Sequence, residues 1–196
     1  HMAALLPLDG NGTITPFDNT TSPDEIALRF QLPAKWRIAG AKVCLFNIAA
    51  GADFTVNLWD STADANNPTP LATIAADIDG DFTYSNTTDG YVDARFTVPY
   101  VAAANTTYYL GVRATTAASL SMGELAAPAA IGNALRGFGV NDEIYRASRA
   151  WTGTDPSAWA TVTTTLPMVH LIIDQTDDGA GGGGTGMLFR AQGVIN

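Results

Sequence analysis

Ile26, Leu28 and Phe30 alternate with Ala27, Arg29 and Gln31. A repeat of two matches a strand, whose successive side chains point to opposite faces, so this stretch is predicted to be a strand with one buried side. Pro33 closes it, because proline has no N–H to donate to a ladder. The same alternation runs through Phe54, Val56 and Leu58, and through Val92, Ala94 and Phe96. It returns in Tyr108, Leu110 and Val112, which oppose Tyr109, Gly111 and Arg113.

Other segments are apolar without a strict period. Ile38 to Ile48 is predicted to be a central strand, joined by a short turn at Ala49 to Asp53 to an antiparallel neighbour, Phe54 to Asp60. Leu71 to Ile78, Ser119 to Met122, Glu143 to Trp151 and Pro167 to Asp174 read as further strands; Pro128 and Gly132 interrupt any long helix in the alanine-rich stretch. Met168 to Ile173 is too evenly apolar for a one-sided strand and is predicted to be central and covered on both faces. Strands at such spacing, without crossover helices, predict an all-β protein: an antiparallel β-sandwich of the jelly-roll type. Residues 1–25 are expected to form an N-terminal arm or first strand, with His1 and Met2 a remnant of cloning. Residues 26–175 form the sandwich, and residues 176–196 a glycine-rich segment and C-terminal arm.

Composition narrows the function. Only 15% of the 196 residues are charged, so Thr, Ser, Asn and Gly must supply much of the polar surface. The net charge of -9, with no basic stripe, repels a phosphate backbone and argues against nucleic acid as a partner. No run approaches the length of a membrane span, so membrane insertion is not expected. Cys44, the single cysteine, lies in an apolar run and reads as a small buried hydrophobe. Four sequons begin at Asn11, Asn19, Asn86 and Asn105, a pattern that arises readily by chance in a threonine-rich chain.

Catalytic motifs are missing. With His1 set aside, His170 is the one histidine, and it sits in an apolar strand without a nucleophile or orienting partner nearby in sequence. Glu124 and Glu143 are the only glutamates after Glu25, and no spacing pairs two carboxylates for glycoside hydrolysis. No catalytic residue is therefore assigned, and the chain is expected not to be an enzyme.

Two binding features stand out. Asp77, Asp79 and Asp81 alternate beside Gly80, a tract able to gather carboxylates on Ca²⁺; the EF-hand pattern is incomplete, and the competing reading is a hairpin turn whose aspartates cap their own backbone. No other cofactor is expected. Trp151 and Trp159 bracket a turn-rich loop, and with Tyr145 they form a candidate ring platform for a ligand. Core filling is the competing reading for each ring.

Ala52 to Asp60, Asn105 to Thr116, the loop from Trp151 to Trp159, and Leu171 to Asp174 before a glycine run together resemble β-sandwich proteins of tailed bacteriophages and prophages. Those are minor virion, tail or head-surface proteins, and the resemblance extends from about Ile26 to Gly184. It is similar too to jelly-roll carbohydrate-binding modules. It rests on strand edges and turns and carries over no functional residue. The resemblance implies a structural or adhesion component of a virion, contacting other virion proteins and a host-surface polysaccharide, in a homo-oligomer with a trimer as the usual fibre closure. The alternative is a free carbohydrate-binding module, secreted or on a cell surface.

The C-terminal glycines fit an assembly role. Gly181, Gly182, Gly183 and Gly184 precede the apolar Met187, Leu188 and Phe189. A slack glycine tether carries a large backbone entropy and would continue into polar residues. The segment is expected to pack against protein and to make an intersubunit contact.

Overall fold

The computed structural model describes residues 12–61, 69–73, 90–126, 144–162 and 165–176. The regular structure among them is all β. The first eight strands are β1 (Gly12–Phe17), β2 (Glu25–Gln31), β3 (Trp36–Phe46), β4 (Phe54–Asp60), β5 (Ala72–Thr73), β6 (Gly90–Ala102), β7 (Thr107–Ala114) and β8 (Leu120–Ala126). They are followed by β9 (Tyr145–Arg149), β10 (Trp151–Thr152), β11 (Asp155–Pro156), β12 (Ala160–Val162), β13 (Thr165–Pro167) and β14 (Val169–Thr176).

The first eight strands pair in a nested antiparallel pattern: β1 with β8, β2 with β7, β3 with β6 and β4 with β5. Two further antiparallel ladders, β3 with β8 and β4 with β7, join alternate pairs into sheets. One sheet thus holds β1, β8, β3 and β6, and the other β2, β7, β4 and β5. Strands β9 and β12 extend the second sheet beyond β2, and β13 and β14 add to the first. The two sheets pack face to face as a sandwich.

The core lies between them. Ile26, Leu28, Phe30, Val56, Leu58, Leu110 and Val112 from the second sheet meet Ile38, Val43, Leu45, Val92, Phe96, Leu120 and Met122 from the first. These are the apolar phases of the alternating segments, and their burial from water is the main force holding the layers together.

One predicted connection is corrected. Strands β3 and β4 are not neighbours in one sheet, since β3 belongs to the first and β4 to the second. The link carries two buried apolar side chains, Ile48 and Ala52, which plug the end of the core. Asn47 (φ 49°) and Gly51 (φ 79°) turn the backbone through left-handed conformations around them. A hairpin would leave those side chains in water, so the chain arches across the gap between layers.

A second correction concerns the run at 168–173. Strand β13 bonds to β8 and β14 bonds to β3, so the segment wedges where those two strands part. Met168 holds the hinge: its N–H donates to the Gly123 carbonyl, and its carbonyl accepts from the Cys44 N–H. Leu171, Ile172 and Ile173 are only half-buried there, rather than covered on both faces.

A charged pair also spans the layers. Glu124 follows Leu120 and Met122 in the inward phase of β8, and Arg146 points inward from β9. Arg146 Nε donates to Glu124 Oε1 at 2.6 Å, and its Nη1 lies 3.1 Å from Ser148 Oγ. Each member satisfies the other's charge away from water, which is the condition for keeping either ionised there.

Candidate functional site on the outer face of the second sheet

The strand phase that buries Ile26, Leu28 and Phe30 turns Glu25, Ala27 and Arg29 to the opposite, outer face of β2. Register then sets their neighbours. Glu25 lies between Arg113 of β7 and Arg149 of β9, Ala27 between Gly111 and Ala147, and Arg29 between Tyr109 and Tyr145. Strand β4 adds Trp59 beside Tyr109. The middle row, Ala27, Gly111 and Ala147, is made of small residues and leaves room for rings to lie over it. Trp151 and Trp159 pack over this cluster from the loop that follows β9.

Glu25 is the hub. Its carboxylate is fully buried and accepts three hydrogen bonds: Oε1 from Trp59 Nε1 at 2.8 Å, and Oε2 from Arg149 Nε at 2.6 Å and Trp151 Nε1 at 2.9 Å. To reach Trp59 on β4 it passes over Gly111, where an added Cβ would lie 2.1 Å from Oε1. Glycine at 111 is therefore a requirement of close approach, not of backbone freedom.

The rings and guanidinium groups interleave around that carboxylate. The Arg149 guanidinium carbon lies 4.3 Å from the Trp59 ring centre, 4.0 Å from Trp159 and 5.0 Å from Trp151. Arg113 lies over Trp151 at 3.6 Å, and Trp159 stacks on Tyr109 at 4.7 Å with ring planes 4° apart. Such cation–π contacts gain strength as water is excluded. Burial pushes both arginine pKa values below their ordinary level, while the Glu25 carboxylate holds them up.

Backbone contacts tie down the loop. Asp24 accepts from the Trp151 N–H through Oδ2 and donates its own N–H to the Arg149 carbonyl at 3.1 Å. Ser157 closes the loop on itself: its N–H donates to the Ala150 carbonyl at 2.9 Å, and its Oγ accepts from the Ala150 N–H at 3.1 Å. Between them, β10 and β11 form a tight hairpin whose Gly153 has φ 64°. The tip, Thr152 to Asp155, is exposed.

The three ring residues singled out from the sequence, Trp151, Trp159 and Tyr145, thus share one sheet face, and each is half-buried. Their surroundings were not foreseen. A face of Trp151 is covered by Arg113, a face of Trp159 by Tyr109, and Arg29 lies 5.7 Å from the Tyr145 ring centre. The hub Glu25 and the two arginines were missed, although each stands in the outward phase of its strand. That phase was the available signal.

Asp77, Asp79 and Asp81 are outside the described residues, as are Gly181 to Gly184, Met187, Leu188 and Phe189. His170 is on the first sheet, half-buried, with its ring 5.7 Å from Tyr91. Burial and the Lys42 ammonium keep its pKa below 6.5. Among the described residues, no group of three or more His, Cys, Asp or Glu side chains is placed to hold a metal ion. No helix among them is long and apolar enough to cross a membrane.

A carboxylate shut off from solvent and shared by three donors orients rings; it is poorly placed to exchange a proton with a substrate. The arrangement is suited to holding a rigid surface of indole edges, a phenol, a guanidinium and loop hydroxyls. Comparison with known proteins adds no identity: no family model, no curated protein and no solved structure matches the chain.

Proposed function

We propose that this protein is a non-catalytic glycan-binding module of the jelly-roll type, which presents the outer face of β9, β2, β7 and β4 to a saccharide. The jelly-roll assignment is supported by the nested pairing of the first eight strands, the pattern of a folded-over hairpin rolled into two layers. The binding assignment rests on one observation. Trp151, Trp159 and Tyr145 stand half-exposed on a single face, and Trp151 and Trp159 pack against a buried Glu25–Arg149 pair outside the main core.

A buried ion pair is weak evidence for stability, because apolar residues of similar volume often do as well. Its use here is positional: it fixes the ring planes before any ligand arrives. Rings that lose no freedom on binding make efficient contacts with the apolar faces of sugars. The phage-like particle surface implied by the sequence resemblance is one setting for such a module, where the same face would contact host polysaccharide. The free carbohydrate-binding module is the reading that the sheet face supports directly.

The test is affinity electrophoresis through gels containing soluble polysaccharides, supplemented by a glycan array. Retardation of the wild-type chain by at least one glycan, reduced in Tyr145→Ala and Trp159→Ala variants that keep a native near-ultraviolet circular dichroism spectrum, supports the proposal. Absence of binding to every glycan tried, or binding unchanged in both variants, removes it.

A further inference from the structure

Arg113 leaves most of its bonding capacity on this face unused. Its Nη2 reaches the Gly153 carbonyl only at 3.4 Å, and its buried Nε has no hydrogen-bond partner. Among the described residues it forms no ion pair, since Glu25 is paired with Arg149 and Asp24 Oδ2 is occupied by the Trp151 N–H. Yet the guanidinium is held in place, its central carbon 3.6 Å over the Trp151 ring centre and beside the exposed hairpin tip. A half-exposed, positioned, hydrogen-bond-rich group with unmet donors is suited to reading a ligand.

Charge indicates which ligand. On this face Arg29, Arg113 and Arg149 stand against Asp24, Glu25 and Asp155 of the hairpin tip, so positive and negative side chains balance locally, and the chain as a whole carries -9. An anionic polymer gains no local field and is repelled at long range. Hydroxyl groups require only donors and acceptors, which the guanidinium and the hairpin threonines supply.

Building on the glycan reading, we propose that Arg113 is the hydrogen-bonding arm of the site: its terminal nitrogens donate to hydroxyl oxygens of a neutral saccharide docked beside the Gly153 turn. The Trp151 indole fixes the plane of the guanidinium, and therefore the directions of its N–H groups. Lysine cannot substitute, because an ammonium neither lies flat on the ring nor presents a planar fork.

The experiment measures dissociation constants for wild type, Arg113→Gln, Arg113→Lys, Tyr145→Ala and Trp159→Ala. The probes are a panel of neutral polysaccharides, including β-glucan, mannan and galactomannan, and a uronate polymer, each at low and high salt. The expected result is binding of a neutral polysaccharide that is insensitive to salt, weakened about tenfold by both Arg113 substitutions. Arg113→Met, which keeps an aliphatic stem over Trp151, replaces Arg113→Gln if the latter loses its native circular dichroism spectrum. Wild-type affinity in the Arg113 variants, while Tyr145→Ala or Trp159→Ala loses binding, overturns the role of Arg113 and leaves the glycan reading standing. Binding confined to the uronate polymer, with a steep salt dependence, overturns the choice of a neutral ligand. No binding of wild type to any probe overturns both readings together.

Discussion

Glu25 and Arg149 stand 2.6 Å apart with neither side chain exposed to solvent, although 124 positions separate them in the chain. The pair joins β2, which belongs to the nested eight-strand body, to β9, the first strand appended beyond it. Glu124 and Arg146 make a second such tie, this time across the two layers. Two buried ion pairs therefore fasten β9 to the body, and the loop bearing Trp151 and Trp159 begins directly after Arg149.

Removing one charge of the outer pair should be costly. Glu25→Gln leaves the Arg149 guanidinium buried without its anion, a change worth about 3–5 kcal/mol. Chemical denaturation should show that loss, and thermal scans a fall in Tm of roughly 10 °C. The double variant Glu25→Leu/Arg149→Met should recover much of it. A single variant as stable as wild type would mean that the pair carries no such energy.

Gly111→Ala should act through Glu25. The new methyl group falls where the carboxylate passes, so an overpacking cost of about 1–3 kcal/mol is expected. In a Glu25→Ala background the obstruction is gone and the same substitution should cost well under about 1 kcal/mol. Equal costs in both backgrounds, measured by urea denaturation, would show that the clash lies elsewhere.

The inter-layer pair and a surface pair offer a direct contrast. Arg146→Met strands the buried Glu124 carboxylate and should cost about 3 kcal/mol. Lys42→Met breaks an ion pair of 3.5 Å whose members are about half exposed, and solvent screening should hold its effect below about 1 kcal/mol. Similar losses in the two variants would contradict the burial argument.

His170 should make stability depend on pH. Its folded pKa lies below the ordinary 6.5 because burial and Lys42 both disfavour the imidazolium. The unfolded chain therefore binds the proton more readily, so stability is fully present above pH 6.5 and declines as pH falls from there through the lower folded value. Between pH 7 and 5, wild type should lose more stability than His170→Gln. Parallel profiles would show that the imidazole is not the group responsible.

The apolar phases of Glu25–Gln31 and Thr107–Ala114 were legible in the sequence because side-chain alternation is fixed by the covalent geometry of a strand. So was the turn-rich loop bracketed by Trp151 and Trp159, given the Gly153 and Pro156 between them. The neighbour of β3 was not legible: Ile38 to Ile48 and Phe54 to Asp60 are equally good strands whether they pair or face each other. Burial of Ile48 and Ala52 decides between hairpin and arch, and it depends on the layer opposite.

Local sequence thus determined that this chain is built of strands, where most of them lie, and which side of the clearest ones is apolar. Tertiary structure alone decided which strands are neighbours, and with that the identity of the candidate site. Glu25, Arg113 and Arg149 are ordinary outward-facing residues until β7 and β9 are hydrogen-bonded to the two edges of β2. Only then do rows of side chains line up across the sheet, Gly111 clear a path for a carboxylate, and small residues leave space for two indoles. Alternation is a property of one strand and its backbone, whereas register is a relation between strands, settled by the packing of the whole body.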